Sequence, residues 1–427
     1  MSEKTRTGPG LRFYLMASRL AYPIARFIIH RRLKRGKEDP DRFHERLGMP
    51  SLQRTGKRLA WFHAVGVGEL LSVSGLIRSL GEELPDLEVL LTSISRTSAD
   101  AVTANLPAHC CHQYLPLDCI RCIRTFLDHW RPDLAVWVER DIWPAMIFET
   151  DRRGIPLAMI NGRMDAASYA TKARIRGVYS DLYRRFQFVG AQDRRSAGHY
   201  HALGVDRKRI WVSGSLKAGA APLADRPDDR ALLEKALSHR NIWFAASTHA
   251  ADEATVAEAH QYVLQSDPSS LLVLAPRNPD RARNVEAFMQ NRGLICAHLK
   301  DGVPPSDGCQ VVIIDKIGRL GIWYRISKVG FIGGSMSNGG GHNPYEPARL
   351  GCAVVHGPSV RNFEGDYEMF HGHRAARKIS NGKELADAVL DPEVRQLARN
   401  VEPVLTKGES IVQETVYRVA PFLERTR

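Results

Sequence analysis

From about Arg58 onward, short apolar runs alternate with helical stretches, and the alternation occurs in two series. The first series comprises the runs 59–64, 89–94, 134–138, 157–160 and 186–190; the second comprises 242–246, 271–275, 311–314, 329–332 and 353–356. These runs are almost continuously apolar, as strands covered on both faces must be. Strand and helix in strict alternation predict an α/β protein built on parallel sheets. A chain of 427 residues is too long for one ordinary core, so two domains are expected. An Ala-, Pro- and Asp-rich stretch with little periodicity follows Gly219 and supplies the linker. The expected division is 1–40 as a helix and basic segment, 41–218 as the first domain, 219–235 as the linker, and 236–427 as the second domain with a C-terminal helix. Two such domains place a cleft at the carboxyl ends of their sheets.

The loops that would line this cleft hold the unusual residues. After Val329–Ile332 comes Gly333-Gly334-Ser335, then Gly339-Gly340-Gly341-His342-Asn343-Pro344-Tyr345-Glu346. The glycines allow close backbone approach, and Asn343, Pro344 and Glu346 read as N-cap, first and third residues of a helix. A helix start of this kind suits a phosphate, here that of a nucleotide sugar. Glu346 is equally placed to accept from a ribose or to complete a capping box. Ser247, Thr248 and His249 stand at the foot of another helix, with Glu253 one turn on. Arg277 ends a strand and offers a donor fork suited to phosphate or carboxylate, or is an ordinary loop arginine. Glu69 opens a helix expected over 69–80, behind Gly66-Val67-Gly68. Its carboxylate is a candidate general base for an acceptor hydroxyl; the bland alternative is a first-turn Glu that complements the helix dipole.

A formal charge of +13 calls for an anionic partner: an acidic membrane, an acidic substrate or a nucleic acid. Nucleic acid is the weakest of these, because no zinc-finger, RRM or KH pattern is present and the basic residues are not interleaved with aromatics. Seven cysteines, an odd number, argue against a secreted disulfide framework and for reduced thiols in a cytoplasmic setting. His109-Cys110-Cys111-His112 and Cys119-x-x-Cys122 resemble metal ligands in spacing. They are separated by a strand end running into a helix capped by Asp118, and neighbouring Cys110 and Cys111 point to opposite sides of an extended chain. No metal is expected.

Near the N-terminus, Arg12, Arg19 and Arg26 recur every seven residues, with Phe13, Leu20 and Phe27 forming a parallel apolar row. Three arginines argue against a spanning helix, which needs about 20 nearly uncharged residues. An amphipathic helix lying on an anionic membrane surface fits better, kinked at Pro23 and followed by the basic run 30–35. A helix packed on its own domain is the alternative.

Motifs in order along nearly the whole chain resemble the 3-deoxy-D-manno-octulosonic acid (Kdo) transferase family. They are Glu45-Arg46-Leu47-Gly48, Trp61-Phe62-His63-Ala64, Val67-Gly68-Glu69, Glu139-x-Asp141-Ile142-Trp143-Pro144, Asn161-Gly162-Arg163 and Gly214-Ser215-Leu216-Lys217. Ser247-Thr248-His249, Ala275-Pro276-Arg277, Gly333-Gly334-Ser335, and Gly340-Gly341-His342-Asn343-Pro344-x-Glu346 continue the series. The resemblance implies two Rossmann-like domains facing across a cleft, the glycosyltransferase B fold. It implies CMP-Kdo as donor, a lipid A precursor (lipid IVA) as acceptor, lipopolysaccharide synthesis at the cytoplasmic face of the bacterial inner membrane, and no cofactor. It makes Glu69 the catalytic base. It assigns Ser247, Thr248, His249, Arg277, Gly333, Gly334, Ser335, Gly340, Gly341, His342, Asn343 and Glu346 to the donor, and His63, Glu139, Trp143, Arg163 and Lys217 to the acceptor side or cleft lining. The chain departs from the family pattern at Gly66, Asp141, Asn278 and Arg319, the last placing a positive charge where the family has a glutamate. A diverged relative using another acidic sugar or lipid stays open, as do a membrane-bound binder without turnover and a nucleotide-sugar epimerase acting without an acceptor.

Overall fold

The structure, a computed structural model, describes residues 7–424 except 97, 98, 100–108, 140, 300–302 and 317. It divides into two compact units, Met1–Ala221 with Gly408–Arg427, and Pro222–Lys407. The first unit carries a parallel sheet of seven strands: β1 (Arg58–His63), β2 (Leu87–Ser93), β3 (Cys110–Tyr114), β4 (Leu134–Val138), β5 (Leu157–Gly162), β6 (Phe188–Ala191) and β7 (Ile210–Val212), in the order β3-β2-β1-β4-β5-β6-β7. Period-two geometry sorts the continuous apolar runs into two layers. Leu59 and Trp61 join Leu90, Trp137, Phe126 and Trp130 on one face. Ala60 and Phe62 join Val89, Val136, Leu76 and Leu80 on the other.

The second unit repeats the plan with β8 (Ile242–Thr248), β9 (Leu271–Pro276), β10 (Cys296–His298), β11 (Val311–Ile313), β12 (Val329–Ile332), β13 (Ala353–His356) and β14 (Ala376–Lys378), ordered β10-β11-β9-β8-β12-β13-β14. In each sheet the order reverses beside the first strand, between β1 and β4 and between β8 and β12. Ligands of open α/β sheets bind at such switch points.

Three features differ from the expected organisation. The long helix Glu402–Glu424 leaves the second unit, and from Gly408 onward belongs to the first, burying Ile411, Val412, Val416, Val419 and Leu423 against the β1 sheet. The unit boundary falls between Ala221 and Pro222, and most of the expected linker lies in the second unit, where Pro227–Ala236 is helical. Asp118 does not cap the helix that follows it. That helix, Ile120–Trp130, starts from Cys119, whereas the Asp118 carboxylate accepts from the Ala145 and Met146 amides at 3.0 and 2.9 Å and caps Pro144–Arg152.

The N-terminal segment forms two helices, α1 (Pro9–Leu20) and α2 (Tyr22–Lys34); its residues 1–6 lie outside the described residues. The break at Ala21 follows from Pro23, which donates no N–H and clashes with a preceding helical carbonyl. Leu11, Leu15, Ala25 and Ile29 are buried, so the segment does pack on its own unit. Phe13, Leu20 and Phe27 remain 69%, 76% and 65% exposed. Among the described residues no helix is long and apolar enough to cross a membrane. All seven cysteines are free, and no described cluster of three or more metal-ligating side chains exists.

Candidate active site

In the first unit, the chain leaves β1 and turns at once into α3 (Val67–Ser72), which carries Glu69. The Val65 amide donates to the Glu69 carboxylate at 2.7 Å. Partial burial nevertheless pushes this carboxyl up to about 7; the negative charge of Glu139 adds to the rise and that of Asp141 a little more, while the amides of Val65 and Gly66 pull against it. A carboxyl poised there takes up a proton near neutrality, which is what general-base catalysis requires.

Glu139 follows β4, across the switch point. It is buried, and Lys217 and Asn161 donate to it at 3.1 and 3.2 Å. Asn161 accepts in turn from the Leu216 amide at 3.0 Å, holding the short turn that bears Lys217. Both Glu139 (φ +65°) and Asn161 (φ +52°) sit in the left-handed region, a backbone strain typical of functional sites. Asp141 accepts from Trp143 Nε1 at 2.6 Å and lies 3.3 Å from His63 Nε2. Burial alone would raise its pKa, but His63, Trp143 and the charge of Lys172 bring it below the usual carboxylate range. His63 is fully buried, with Thr92 3.2 Å from Nδ1. The first unit therefore brings Glu69, Glu139, Asp141, His63, Trp143 and Lys217 to one sheet edge. Arg163 comes directly after β5 and is partly exposed.

The second unit has an equivalent edge. Ser247 (φ +57°) and Thr248 end β8, and His249, directly after it, caps the helix Ala250–Ser266. The Gly-rich loop after β12 lies against it: a Cβ on Gly333 would stand 2.5 Å from the Ser247 carbonyl. The His249 and His342 rings stack at 5.5 Å, with their Nε2 atoms 3.3 Å apart. Burial lowers the His342 pKa to about 4, and the charges of Arg277 and His249 push the same way. Arg277 is exposed at the end of β9. An anion binding among Arg277, His249 and His342 would meet one fixed positive charge and two imidazole rings, each able to donate a hydrogen bond.

The loop's amides are not arranged as the glycine pattern suggested. Those of Gly334, Ser335 and Met336 donate to the buried carboxylate of Asp252, at 2.7, 3.2 and 2.9 Å, and the His249 amide does so at 2.8 Å. The helix beyond, Tyr345–Ala348, is a single turn; Asn343 accepts from the Tyr345 amide at 3.1 Å and donates to Glu346 at 3.2 Å. Thr248 and Ser335 are fully buried, and the Ser335 hydroxyl accepts from the Gly357 amide at 2.8 Å. Glu253 pairs with Arg281 through two contacts of 2.8 Å rather than with His249. Gly340 is pinned by Asn362, whose amide donates to the Gly340 carbonyl at 2.8 Å, and the Gly341 amide donates to the Gly334 carbonyl at 2.8 Å; Gly340 needs its φ of +82°, and a Cβ there would meet Asn362. Asp252 escaped the sequence reading. Its signal was the N3 acid of a capping box, here also bonded to a distant loop. Arg319 lies 3.8 Å from Asp229 in the same unit.

Residues 41–220 match the family model described as 3-deoxy-D-manno-octulosonic-acid transferase. A 3-deoxy-D-manno-octulosonic acid transferase of Rickettsia bellii is 27% identical over 96% of this chain and 99% of its own length. The solved C-terminal CMP-Kdo binding domain of WaaA from Acinetobacter baumannii is 30% identical, covers 43% of this chain and 96% of its own, and has a TM-score of 0.38. A solved UDP-N-acetylglucosamine 2-epimerase shares the fold, with a TM-score of 0.58 at 10% identity over 88% of this chain and 99% of its own. Two parallel α/β units in one chain, with the epimerase as a neighbour in fold, are the glycosyltransferase B fold. With the family matched across its first unit and the Rickettsia enzyme aligned from end to end, this chain belongs to the 3-deoxy-D-manno-octulosonic acid (Kdo) transferases, a family of glycosyltransferases.

Proposed function

We propose that the protein transfers Kdo from CMP-Kdo to a lipid A precursor at the cytoplasmic face of the inner membrane, with Glu69 as general base. The observation that carries this reading is the Glu69 carboxyl, held near neutrality beside Glu139. Glu69 takes the proton of an acceptor hydroxyl while that oxygen attacks the anomeric carbon of Kdo. The bond from this carbon to the phosphate oxygen breaks, and CMP leaves with the electron pair. Arg277, with the imidazole donors of His249 and His342, suits the departing phosphate. The step needs no metal or cofactor. The exposed row Phe13, Leu20 and Phe27, among exposed arginines, supports a membrane-surface acceptor. Arg319 favours a second reading, a relative that uses another acidic sugar or lipid.

The test is turnover in detergent with CMP-Kdo and lipid IVA, reading CMP release and lipid mass, beside Glu69→Gln. A gain of Kdo mass that the variant loses supports the first reading. CMP binding without product directs the search to other acidic CMP-sugars. CMP-Kdo turnover without acceptor would sink the transfer reading.

A further inference from the structure

The helix Ala166–Arg174 has no buried residue. It follows Arg163 at the carboxyl end of β5, next to the strand that precedes Glu139, and only its half-buried Tyr169 packs against the core. It is held at two points. The Asp165 carboxylate caps it through the Ser168 amide at 2.7 Å, and Tyr169 stacks on His199 with centroids 4.6 Å apart. Between Arg163 and Arg176 the sequence has four basic residues, Arg163, Lys172, Arg174 and Arg176, against the single acid Asp165. Arg174 and Arg176 are exposed and flank Ile175, itself 55% exposed.

Position gives its last turn two neighbours. Lys172, in that turn, lies close enough to Asp141 to act on its carboxylate. The next helix, Arg176–Tyr183, packs against α1, with the Gly8 amide donating to Asp181 at 2.6 Å. Lys172, Arg174 and Arg176 thus stand between the edge that bears Asp141 and Glu69 and the helices that carry the exposed apolar row. An acceptor whose hydroxyl reaches Glu69 while its acyl chains stay in the bilayer would run beside them.

We propose that Arg163, Lys172, Arg174 and Arg176 form a recognition site for a phosphate group on the lipid acceptor. The inference rests on the acceptor being a phosphorylated lipid, as in the function proposed above. Arginine forks match phosphate oxygens bidentately, and clustered cations favour a dianion over a neutral sugar.

The experiment uses the full chain in neutral detergent micelles, where no anionic bilayer contributes. Acceptor KM, donor KM and direct micelle binding are measured with lipid IVA and with its dephosphorylated form. Arg174→Glu/Arg176→Glu is compared with wild type and with Arg174→Lys/Arg176→Lys, after a thermal melt shows each variant folded. Expected for the glutamate variant are an acceptor KM raised about tenfold or more, which is about 1.4 kcal/mol, an unchanged donor KM, and little effect on the dephosphorylated acceptor. The lysine variant should recover part of the affinity. Equal losses with both acceptors, or a variant impaired only on anionic vesicles, would overturn the proposal. If wild type transfers nothing but binds the phosphorylated lipid in preference, and the glutamate variant does not, the function reading fails and this site stands.

Discussion

Glu69 gives the sharpest test at the scale of single residues, because its environment sets a pH as well as a role. Its carboxyl is raised to about 7, so the basic form is scarce at pH 5.5 and dominant at pH 8.5. The free enzyme's kcat/KM should therefore climb through an acid limb centred near pH 7. Replacing Glu69 by Gln should remove about 10²- to 10⁴-fold of the rate, the usual contribution of a positioned base. Burial is the largest cause of the raised pKa and the charge of Glu139 the next. Glu139→Gln removes that charge without changing the shape, so the acid limb should move to lower pH. A limb that stays in place would show that Glu139 does not act on the base. The base was legible in the sequence because it follows the first strand of an alternating series, where a loop residue reaches the sheet edge. Asp252 was not legible. A helix-capping acid that also receives three loop amides looks locally like any other cap.

The ten longer apolar runs are strands because a chain buried on both faces cannot hide its composition. The strands β3, β7, β10 and β14 left no comparable signal. Three of them span only three residues, and all four close the outer edges of their sheets. Nor does sequence pattern say which unit a helix will cover, which is why Glu402–Glu424 was assigned to the wrong side of the boundary. Its return rests on Gly219 and Gly408: a Cβ on Gly219 would collide with Val412, and one on Gly408 with the Ala218 carbonyl. Gly408→Ala should cost about 1–3 kcal/mol, as other overpacked contacts do, and show as a lower melting temperature. Ending the chain at Lys407 has a larger effect. Five buried aliphatic residues leave the first unit's core, Ile411, Val412, Val416, Val419 and Leu423. At roughly 1.5–3 kcal/mol each, that is about 10 kcal/mol, comparable with the entire net stability of a domain. The truncated protein should lose cooperative unfolding of the first unit, and a normal melt would refute this account of the helix.

For the molecule as a whole, the open question is what the positive charge of +13 and the N-terminal apolar row do together. The two contributions can be ranked. Burying Phe13, Leu20 and Phe27 in a bilayer interface is worth roughly 1.5–3 kcal/mol each at full burial. Each arginine near an anionic surface adds about 1 kcal/mol, and salt screens that part. The apolar row should thus dominate, with charge setting the preference for anionic lipid. Phe13→Ser/Leu20→Ser/Phe27→Ser should release the protein from vesicles containing anionic lipid even at low salt. Since all three side chains face solvent, its melting temperature should stay close to that of wild type. Arg12→Gln/Arg19→Gln/Arg26→Gln should instead keep binding at low salt and lose it more readily as salt rises. Vesicle sedimentation across a salt series separates the two variants. If the serine variant sediments as wild type does, the apolar row is not the anchor, and the basic run at the C-terminal end of α2 is the next segment to test.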